Sequence, residues 1–302
     1  MLSICIPIYN VDIRPTVQRL AAQREALDVP VEIVCIDDHS LENFHILNSD
    51  IAHEALYIRL PQNVGRARIR NLFLQHTAYD NLLFLDCDSL IPDGFLSRYV
   101  EALRSQPQVV CGGRVYDPTS DNRQHHLRYR YGVRCECRDA AIRRRNPHKS
   151  FMTNNFIVRK AVLQNIPFDE RISQYGHEDT LFGYRLQQAD IPILHIDNPV
   201  INGDVETNAE FLRKTVDGVG SLSAIYSWMK DEPRFCNQVS LLRCYVRLRR
   251  LRLDRLIVVA FRLTKPLLEN IFLRGWPICI PLFSFYKLGL FCFTNINMNN
   301  DV

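Results

Sequence analysis

Asn81-Leu-Leu-Phe-Leu-Asp86-Cys-Asp88 joins a short apolar run directly to two carboxylates. Residues 82–85 have the length and unbroken apolar character of a strand that is buried on both faces of a parallel sheet. Side chains two residues apart on an extended chain point the same way, so Asp86 and Asp88 project together from the strand end. Ligands of open α/β sheets bind at that edge, and Mg²⁺ or Mn²⁺ carrying substrate phosphates would neutralise both carboxylates. A solvated Asp-X-Asp turn fits the same pattern, so this segment alone leaves both interpretations open.

The sequence before this segment alternates apolar strands with helices. Further strands are predicted at residues 3–8, 31–36 and 55–60, and helices at residues 15–27 and from 63 to about 76. Strands separated by helices form parallel βαβ units with right-handed crossovers. The sequence therefore predicts an α/β fold with a Rossmann-like, mostly parallel twisted sheet flanked by helices.

Polar or acidic side chains follow three of these strands where each strand ends. They are Tyr9 and Asn10, Asp37 and Asp38, and Asp86 with Asp88. Parallel strands end at one edge of the sheet, so we expect the three clusters to form one nucleotide-and-metal site there.

Gly65 stands near the amino end of the following helix, where backbone amides and the cations of Arg66, Arg68 and Arg70 suit a phosphate. A solvated helix face would show the same arginines. The glycine spacing of a P-loop is absent, and no Gly-X-Gly-X-X-Gly follows the first strand. P-loop and dinucleotide-binding folds are therefore not expected.

Composition narrows the class of protein. The chain of 302 residues is 47% hydrophobic, has a net charge of +4 and contains ten cysteines. Met1 leads directly into a strand without a signal peptide, and several cysteines lie in apolar runs, so we expect reduced thiols in a cytoplasmic protein. The arginines accompany no nucleic-acid-reading motif, so nucleic acid is not an expected partner.

Five motifs follow one another along the chain. They are Ser3-Ile-Cys-Ile-Pro-Ile-Tyr-Asn10, Asp37-Asp38, Asn63-X-Gly65 with Arg70-Asn71, Leu85-Asp86-Cys-Asp88, and Phe168-Asp-Glu with Gly176-His-Glu178-Asp179. In this order and spacing they resemble the family 2 glycosyltransferases, inverting enzymes of the GT-A fold. The resemblance covers residues 1–215 and leaves 216–302 as a helical, basic and apolar C-terminal extension.

The resemblance implies a role for each motif. The nucleotide-binding residues would be Pro7, Tyr9, Asn10, Asp37, Asp38, Asn63, Gly65, Arg70 and Asp86. Asp88, together with Asp86, would hold a divalent Mn²⁺ or Mg²⁺ ion that bridges the diphosphate. Asp179 would be the catalytic base, and Glu178 would orient it or the acceptor. A sugar or acceptor contact is implied at Asn154 or Asn155 and at Gly113.

The chemistry of sugar transfer independently needs such groups. A cation stabilises the leaving phosphate, and a carboxylate takes the proton of the attacking hydroxyl. Glu178 and Asp179 follow Gly176 at a predicted helix start. Their structural alternative is an acid pair favoured by the helix dipole.

Two departures from the family pattern matter. Asn202 stands where relatives often have a metal-binding histidine, and an amide oxygen binds Mn²⁺ more weakly than imidazole. The Gln-X-X-Arg-Trp motif of processive synthases is missing, which favours transfer of a single sugar. His195 lies earlier, in an alternating apolar strand, and is expected to be a satisfied core or edge histidine.

The remaining segments give weaker signals. Residues 117–150 are polar and basic without apolar periodicity, which predicts a loop that closes over the donor, meets an anionic acceptor or is simply solvated. Residues 208–229 predict two helices separated at Gly218 and Gly220. Arg243, Arg247 and Arg250 indicate a basic amphipathic helix, suited to an anionic membrane surface. Residues 275–286 are too short to span a bilayer and contain Pro277, which favours a peripheral apolar tail over a helical cap or a dimer surface.

Together these features predict an enzyme that transfers one sugar from a nucleotide donor, expected to be UDP-linked, to a glycan or lipid-linked saccharide with inversion. Such an enzyme would act in cell-surface polysaccharide or glycolipid synthesis, on the inner face of the plasma membrane. Two alternatives stay open: a sugar-phosphate nucleotidyltransferase, and a non-catalytic relative that only binds nucleotide sugars.

Overall fold

The computed structural model describes residues 1–172, 174–275 and 278–298, so Pro277 of the apolar segment discussed above lies outside the described residues. The strands are β1 Leu2–Ile8, β2 Val31–Asp37, β3 Leu56–Arg59, β4 Asn81–Leu85, β5 Ser89–Leu90, β6 Val109–Cys111, β7 Arg114–Tyr116, β8 Asn155–Arg159, β9 Ile193–His195 and β10 Val200–Asn202. The helices are α1 Arg14–Glu25, α2 Glu42–Ser49, α3 Arg66–His76, α4 Phe95–Leu103, α5 His126–Tyr131, α6 Ala140–Arg143, α7 Lys160–Asn165, α8 Glu178–Gln188, α9 Asn208–Met229, α10 Pro233–Gln238, α11 Ser240–Arg250, α12 Asp254–Arg274 and α13 Ile280–Met298.

The main sheet has the strand order β3-β2-β1-β4-β8-β6-β9. β3, β2, β1 and β4 run parallel, whereas β8 is antiparallel to both of its neighbours. The predicted mostly parallel α/β sheet is therefore confirmed. Pairing of β1 with β4 ends at Cys5, so Pro7, which lacks an N–H, lies beyond that ladder.

Two apolar layers cover the faces of this sheet. On one face, Val17 and Leu20 of α1 and Phe95 of α4 pack against the strands. On the other face, Phe73 of α3 and Phe182 of α8 lie in a second cluster with Phe84. Helices on both faces bury most of β1, β2 and β4, which explains why these sequences read as continuous apolar runs.

A small second sheet of order β5-β10-β7 follows the carboxyl end of β4. β10 is antiparallel to β5, with Asn202 opposite Ser89, and parallel to β7, with Val200 opposite Arg114. This sheet therefore brings three distant chain segments next to the Asp86–Asp88 turn.

The chain forms two compact units. The first comprises Met1–Asp117, Glu136–Ser173 and Glu178–Asp204, and the second comprises Pro118–Cys135, Gln174–His177 and Val205–Val302. The first contains both sheets, and the second is helical. The predicted domain boundary at residue 215 stays a prediction.

In the helical unit, α9 is one continuous helix of 22 residues, so the predicted break at Gly218 and Gly220 is wrong. Thr207 and Glu210 form a reciprocal capping box at its start, which favours helix from the first turn. A Cβ built on Gly176 would lie 3.2 Å from the Cα of Gly218, and Ser221 Oγ donates to Tyr175 O at 2.8 Å. Gly176 thus lets its segment approach the α9 backbone closely, whereas a Cβ on Gly218 would meet only Tyr175 O at 3.9 Å, an ordinary contact. Burial of Gly218 with its neighbours Val219 and Leu222 outweighs the weak helix propensity of one glycine.

The structureless loop predicted for residues 117–150 is also wrong, because α5, α6 and a π-helical turn at Gly132–Glu136 occupy part of it. Arg143 is buried at the end of α6, and its guanidinium donates to the carbonyl oxygens of Arg138, Cys111, Gly112 and Ile196. The same group donates to Nδ1 of His195 at 2.8 Å, and the other ring nitrogen lies 3.0 Å from Pro147 O. Arg143 therefore anchors this segment to the sheet instead of meeting an anionic ligand.

His195 is fully buried in β9, which confirms its assignment as a satisfied core histidine. Burial lowers the pKa of His195 to about 4, so the ring is neutral over the physiological range. A neutral ring that accepts from Arg143 at Nδ1 carries its proton on Nε2, directed at Pro147 O.

The apolar C-terminal segment packs inside the helical unit. Phe283, Tyr286 and Phe291 of α13 are fully buried, and Phe272 of α12 meets the rings of Phe283 and Tyr286 edge-on. The predicted peripheral tail is therefore wrong for these residues. Among the helices of the described chain, none combines the length and the hydropathy needed to cross a bilayer.

Candidate active site

Three strand ends lie at one edge of the main sheet. β2, β1 and β4 are adjacent and parallel, so the turns that follow them share the carboxyl edge, as the sequence predicted. The N–H of Asp38 donates to Ile8 O at 2.8 Å, which ties the second turn to the first. Tyr9, 53% exposed, presents its ring to solvent at this edge.

Asn10 turns the chain sharply after β1. Its φ of 54° is a left-handed conformation, which Asn tolerates better than most residues. The N–H of Asn10 donates to Ser40 Oγ at 2.9 Å, and Asn10 Oδ1 accepts from the N–H of Leu41 at 2.8 Å. Asn10 therefore holds the turns after β1 and β2 together.

Asp37 is fully buried, and protein groups use both of its carboxylate oxygens. Ser40 N–H donates to Oδ1 at 2.7 Å, and the Tyr57 hydroxyl donates to Oδ2 at 2.5 Å. This satisfies the buried charge without a ligand. Its contact with a nucleotide stays a prediction.

Asp38 binds the loop that starts α3. Its carboxylate accepts from the N–H groups of Val64 at 2.6 Å and Gly65 at 3.1 Å, and Asn63 Nδ2 donates to Asp38 O at 3.1 Å. Burial raises the pKa of Asp38, although the two amides oppose it. The amides predicted to receive a phosphate at this helix start therefore already face a carboxylate.

Asp86 lies between two arginines. Arg70 Nη2 is 3.3 Å from Oδ1, and Arg114 Nη2 is 3.2 Å from Oδ2. Burial acts to raise the pKa of Asp86, but the charges of Arg70 and Arg114 outweigh it and hold the pKa below its usual value. Asp86 is thus ionised, and a metal ion would have to compete with both arginines for its oxygens.

Arg114 begins β7 and was not recognised from the sequence. Its Nη1 lies 3.6 Å from Glu136 Oε2, and the Tyr116 hydroxyl donates to the same oxygen at 2.7 Å. Burial would lower the pKa of Arg114, but Glu136, Tyr116 and Asp86 together raise it above its usual value. The alternation of Arg114 and Tyr116 along a strand was the one sequence feature that could have indicated Arg114 as part of the site. No sequence pattern indicates Glu136.

Arg70 links the strand edge to the start of α8. It is 2% exposed, and its Nη1 lies 3.4 Å from Glu178 Oε1. One guanidinium therefore contacts both Asp86 and Glu178. The sequence had suggested that Arg70 contacts the nucleotide; the geometry shows instead a buried cation between two carboxylates, and a nucleotide contact stays a prediction.

Asp179 is the ionisable group with the properties of a base. Its Oδ1 accepts from Thr180 N–H at 2.6 Å and from Thr180 Oγ1 at 3.2 Å, while Oδ2 has no hydrogen-bond partner among the described residues. Desolvation, followed by the charge of Glu178, raises the pKa of Asp179 to about 7. A carboxylate with this pKa and one unused oxygen can accept a proton near neutral pH.

Asp88 and Asn202 are neighbours across the small sheet. Gly203 N–H donates to Asp88 O at 2.9 Å, and Asn202 is 4% exposed. The Asn202 amide nitrogen donates to Asp204 O at 2.9 Å, and no hydrogen bond between described residues uses its amide oxygen. A carboxylate and an amide oxygen are the hard donors that Mg²⁺ and Mn²⁺ take.

No group of three His, Cys, Asp or Glu side chains arranged to hold a metal occurs in the described parts of the chain. A Mg²⁺ ion is usually held by one or two protein ligands plus substrate phosphates. The Asp88 and Asn202 donors fit that kind of site, and the metal itself stays a prediction.

The two asparagines predicted to contact sugar or acceptor differ in whether their side-chain amides are already hydrogen-bonded within the protein. Asn155 Nδ2 donates to Gly113 O at 2.9 Å and Asn198 O at 2.8 Å, and its Oδ1 accepts from the Tyr99 hydroxyl. Both polar atoms of the Asn155 side chain are therefore hydrogen-bonded within the protein at this edge of the sheet. Gly113 has a φ of 95°, which permits this turn.

Asn154 keeps an unused donor. It is 5% exposed, its backbone oxygen accepts from the Asp86 N–H at 3.1 Å, and its Nδ2 finds no hydrogen-bond partner among the residues that the structure describes. A buried amide without a partner is costly unless a ligand or water meets it. Of the two asparagines, Asn154 is the one able to donate to a ligand.

Comparison with known proteins gave consistent results. The chain is 25% identical to chondroitin synthase from Pasteurella multocida (strain Pm70) over 218 residues, which cover 61% of this chain but only 23% of that protein. Its fold is similar to that of the mannosyltransferase PcManGT from Pyrobaculum calidifontis in complex with GDP-Man and Mn²⁺, with a TM-score of 0.55, 14% identity and coverage of 99% of this chain and 86% of that one. It is also similar to S. aureus TarS 1-349 in complex with UDP-GlcNAc, with a TM-score of 0.50, 15% identity and coverage of 97% and 91%.

The family model described as glycosyl transferase family 2 matches residues 3–167. This match spans more than half of the chain and includes the first four motifs. It includes β1, β2 and β4, whose carboxyl ends carry the polar and acidic turns. The chain therefore belongs to glycosyltransferase family 2.

Proposed function

We propose that this protein transfers a single sugar from a nucleoside diphosphate sugar, UDP-linked, to a hydroxyl of a glycan or lipid-linked saccharide, with inversion. The observation that carries this proposal is Asp179, a carboxylate with a pKa of about 7 and one unused oxygen beside the Arg70–Glu178 pair. The neighbouring charges act on its pKa in opposite directions, since Glu178 raises it and Arg70 lowers it.

The reaction follows from these groups. The acceptor oxygen attacks the anomeric carbon as the bond from that carbon to the diphosphate oxygen breaks. Asp179 takes the proton of the acceptor hydroxyl, and the nucleoside diphosphate leaves with the bonding electrons. One displacement from the face opposite the leaving group inverts the anomeric centre. Glu178, held by Arg70 at 3.4 Å, fixes the first turn of α8 and so positions Asp179.

Asp88 and Asn202 would hold the divalent ion with the diphosphate oxygens, where it would neutralise the charge of the leaving group. Asp86, engaged by Arg70 and Arg114, would keep those cations at the donor edge. The named complexes of the two similar structures contain GDP-Man with Mn²⁺ and UDP-GlcNAc, which supports a nucleoside diphosphate sugar as the donor.

The donor contacts proposed for this chain remain those implied by its motifs. They are Pro7, Tyr9, Asn10, Asp37, Asp38, Asn63, Gly65, Arg70 and Asp86 for the nucleotide, and Asn154, Asn155 and Gly113 for the sugar or acceptor. Among these, the exposed Tyr9 ring and the unpartnered amide of Asn154 are the groups best placed to gain a contact. We place the reaction in cell-surface polysaccharide or glycolipid synthesis, on the cytoplasmic side of the plasma membrane.

The test is hydrolysis and transfer with a panel of UDP- and GDP-linked sugars, with and without Mn²⁺ or Mg²⁺. Asp88→Ala should lower metal-dependent turnover by at least about 100-fold, and Asp179→Asn should do so while retaining nucleotide binding by calorimetry. Asp80→Ala, at the exposed amino end of β4, is the matched control and should turn over as wild type. Equal metal-dependent turnover in wild type and Asp88→Ala would refute the metal role.

The same experiment addresses the two alternatives. Nucleotide binding by wild type without hydrolysis or transfer of any donor would support the non-catalytic relative. Formation of a nucleotide sugar from a nucleoside triphosphate and a sugar phosphate would support the nucleotidyltransferase.

A further inference from the structure

Helix α12 has apolar side chains on two opposite faces. Val258, Phe261, Leu268 and Phe272 are buried against the rest of the helical unit. An exposed stripe is formed by Leu256, Val259, Leu263 and Leu267, which are 63%, 56%, 78% and 61% exposed. A helix that packs on one face normally carries polar residues on the other, so the exposed stripe is unusual for a helix with a single buried face.

The exposed stripe is continuous along the helix. Its members are spaced by three, four and four residues, so they lie on one side over about 16 Å of helix length. Leu251, 67% exposed in the turn before α12, extends the apolar surface towards α11. Scattered exposed leucines are ordinary, but a contiguous row of this kind marks an interaction surface.

Basic residues surround the exposed stripe. Residues 240–275 contain nine Lys or Arg and two Asp or Glu, although the net charge of the whole chain is only +4. Arg255 and Arg262 are exposed and each directly precedes a residue of the stripe. Arg247 and Arg250 are exposed in α11, and Arg252 is exposed in the turn that leads into α12.

Few of these charges are used within the protein. Lys265 lies 3.7 Å from Glu269, and Arg262 lies over the ring of Phe293. For Arg247, Arg250 and Arg252 no ion pair occurs within the described chain. The surface therefore offers unpaired cations next to unpaired apolar side chains.

This combination selects one class of partner. In a symmetric dimer formed through the exposed stripe, the arginines of one copy would face those of the other without acids to compensate. A nucleic acid would use the cations but not the leucines. An anionic bilayer matches both features, because acyl chains accept the leucines and lipid phosphates accept the arginines.

We infer that the exposed stripe of α12 and its arginines dock the protein on an anionic lipid surface, with α12 lying in the plane of the interface. The inference rests on the proposed function for a membrane location and adds to it the surface that would bind the lipid. All the residues that support it belong to the helical unit. The basic face of α11, where the sequence had placed the membrane contact, then becomes the rim of the surface and α12 its apolar centre.

The test is co-flotation of the full chain with vesicles of phosphatidylcholine, with or without about 30% phosphatidylglycerol. Wild type should bind the anionic vesicles, and binding should fall as NaCl rises from about 0.05 M to about 0.5 M. Leu263→Ser with Leu267→Ser should lower the bound-to-free ratio on the order of tenfold. Arg250→Gln with Arg255→Gln should lower it about fivefold per arginine. Ile46→Ser, on α2 in the other unit and 64% exposed, is the matched control and should bind as wild type.

Three results would overturn the inference: equal binding to neutral and anionic vesicles, unchanged binding by the Leu263/Leu267 variant, or a dimer in sedimentation that this variant dissociates. Donor hydrolysis measured without vesicles separates the two proposals, because these surface variants should hydrolyse the donor as wild type does. Vesicle binding without hydrolysis would leave the docking surface intact and remove the proposed reaction.

Discussion

Replacement of Asp179 by Asn tests whether this residue is a strained base or an ordinary helix-start acid. Asn keeps the side-chain oxygen that accepts from Thr180 N–H and removes only the ionisable group. As a base, Asp179 destabilises the folded state when ionised, because its carboxyl is desolvated next to Glu178. As a helix-start acid, it would stabilise α8 by about 0.3–1 kcal/mol through the dipole. The two interpretations therefore predict opposite signs for the change in stability.

The magnitude follows from the pKa. A rise from the usual 3.8 to about 7 corresponds to about 4 kcal/mol, at about 1.4 kcal/mol per unit. The carboxyl is partly exposed, and solvent screening reduces the expected effect to about 2 kcal/mol. Arg70 lowers the pKa of Asp179, whereas Glu178 raises it, so these two charges set the penalty together with desolvation.

The sign of the pH dependence is fixed by linkage. Because the folded state holds the Asp179 proton more tightly than the unfolded state, its contribution to stability is fully present below about pH 4 and is lost as pH rises through about 7. Asp179→Asn should therefore unfold at a higher temperature than wild type at about pH 8 and show little difference at about pH 4. Turnover should be lost at both.

The assay is thermal unfolding of both proteins across this pH range, with donor hydrolysis measured in parallel. Asp190→Asn is the matched control, since it removes an exposed acid beyond the other end of α8. A variant of Asp179 that is less stable than wild type at about pH 8 would refute the base interpretation and favour the dipole one.

Three other substitutions test the surroundings of the site. Arg70→Leu removes the cation between Asp86 and Glu178 and should lower the free energy of unfolding, measured in urea, by about 3–5 kcal/mol. The control is Arg68→Leu, whose wild-type side chain is 55% exposed and which should lower it by less than about 1 kcal/mol. Equal losses in the two variants would contradict the role of Arg70 as a buried bridge. Asn155→Ala should lower the free energy of unfolding by about 3 kcal/mol because three hydrogen bonds are lost. Asn154→Ala should change it by less than about 0.5 kcal/mol and raise the KM for the donor. A larger loss of stability for Asn154→Ala than for Asn155→Ala in urea unfolding would contradict the structural role of Asn155 and the ligand contact of Asn154. Arg143→Lys replaces the planar guanidinium with an ammonium that cannot donate to the same carbonyl oxygens, so it should lower the melting temperature by several degrees at unchanged metal affinity. A variant as stable as wild type would show that the guanidinium contacts are dispensable.

Much of the sheet unit follows from local sequence. Buried parallel strands are apolar throughout, and the acidic turns at their ends stand out against that background. The order of β1 to β4 and their common edge were therefore accessible from the sequence. A strand was also expected at β8, but its antiparallel direction was not, because an apolar run reads the same in either direction. The short strands of the second sheet were not accessible, because strands of two or three residues have no readable period.

The errors have a common physical origin in tertiary contacts. Glycines usually interrupt a helix, yet Gly218 lies within α9, where it is buried together with Val219 and Leu222. Arg143 has the sequence appearance of a solvated cation, but its environment is made of carbonyl oxygens from distant turns. The contact of Arg114 with Asp86 likewise became visible only in the structure, where β7 places the two side chains together. Charged residues reveal their partners only after the chain has folded.

The carboxylate of Asp38 against the amides of Val64 and Gly65 has a consequence for donor affinity. A loop that a substrate must first organise subtracts the entropy of that ordering from the binding free energy. Here the protein supplies its own anion, so the entry to α3 is rigid before any substrate arrives. Affinity for the donor can then reflect the contacts made, with little lost to rearranging this corner of the molecule.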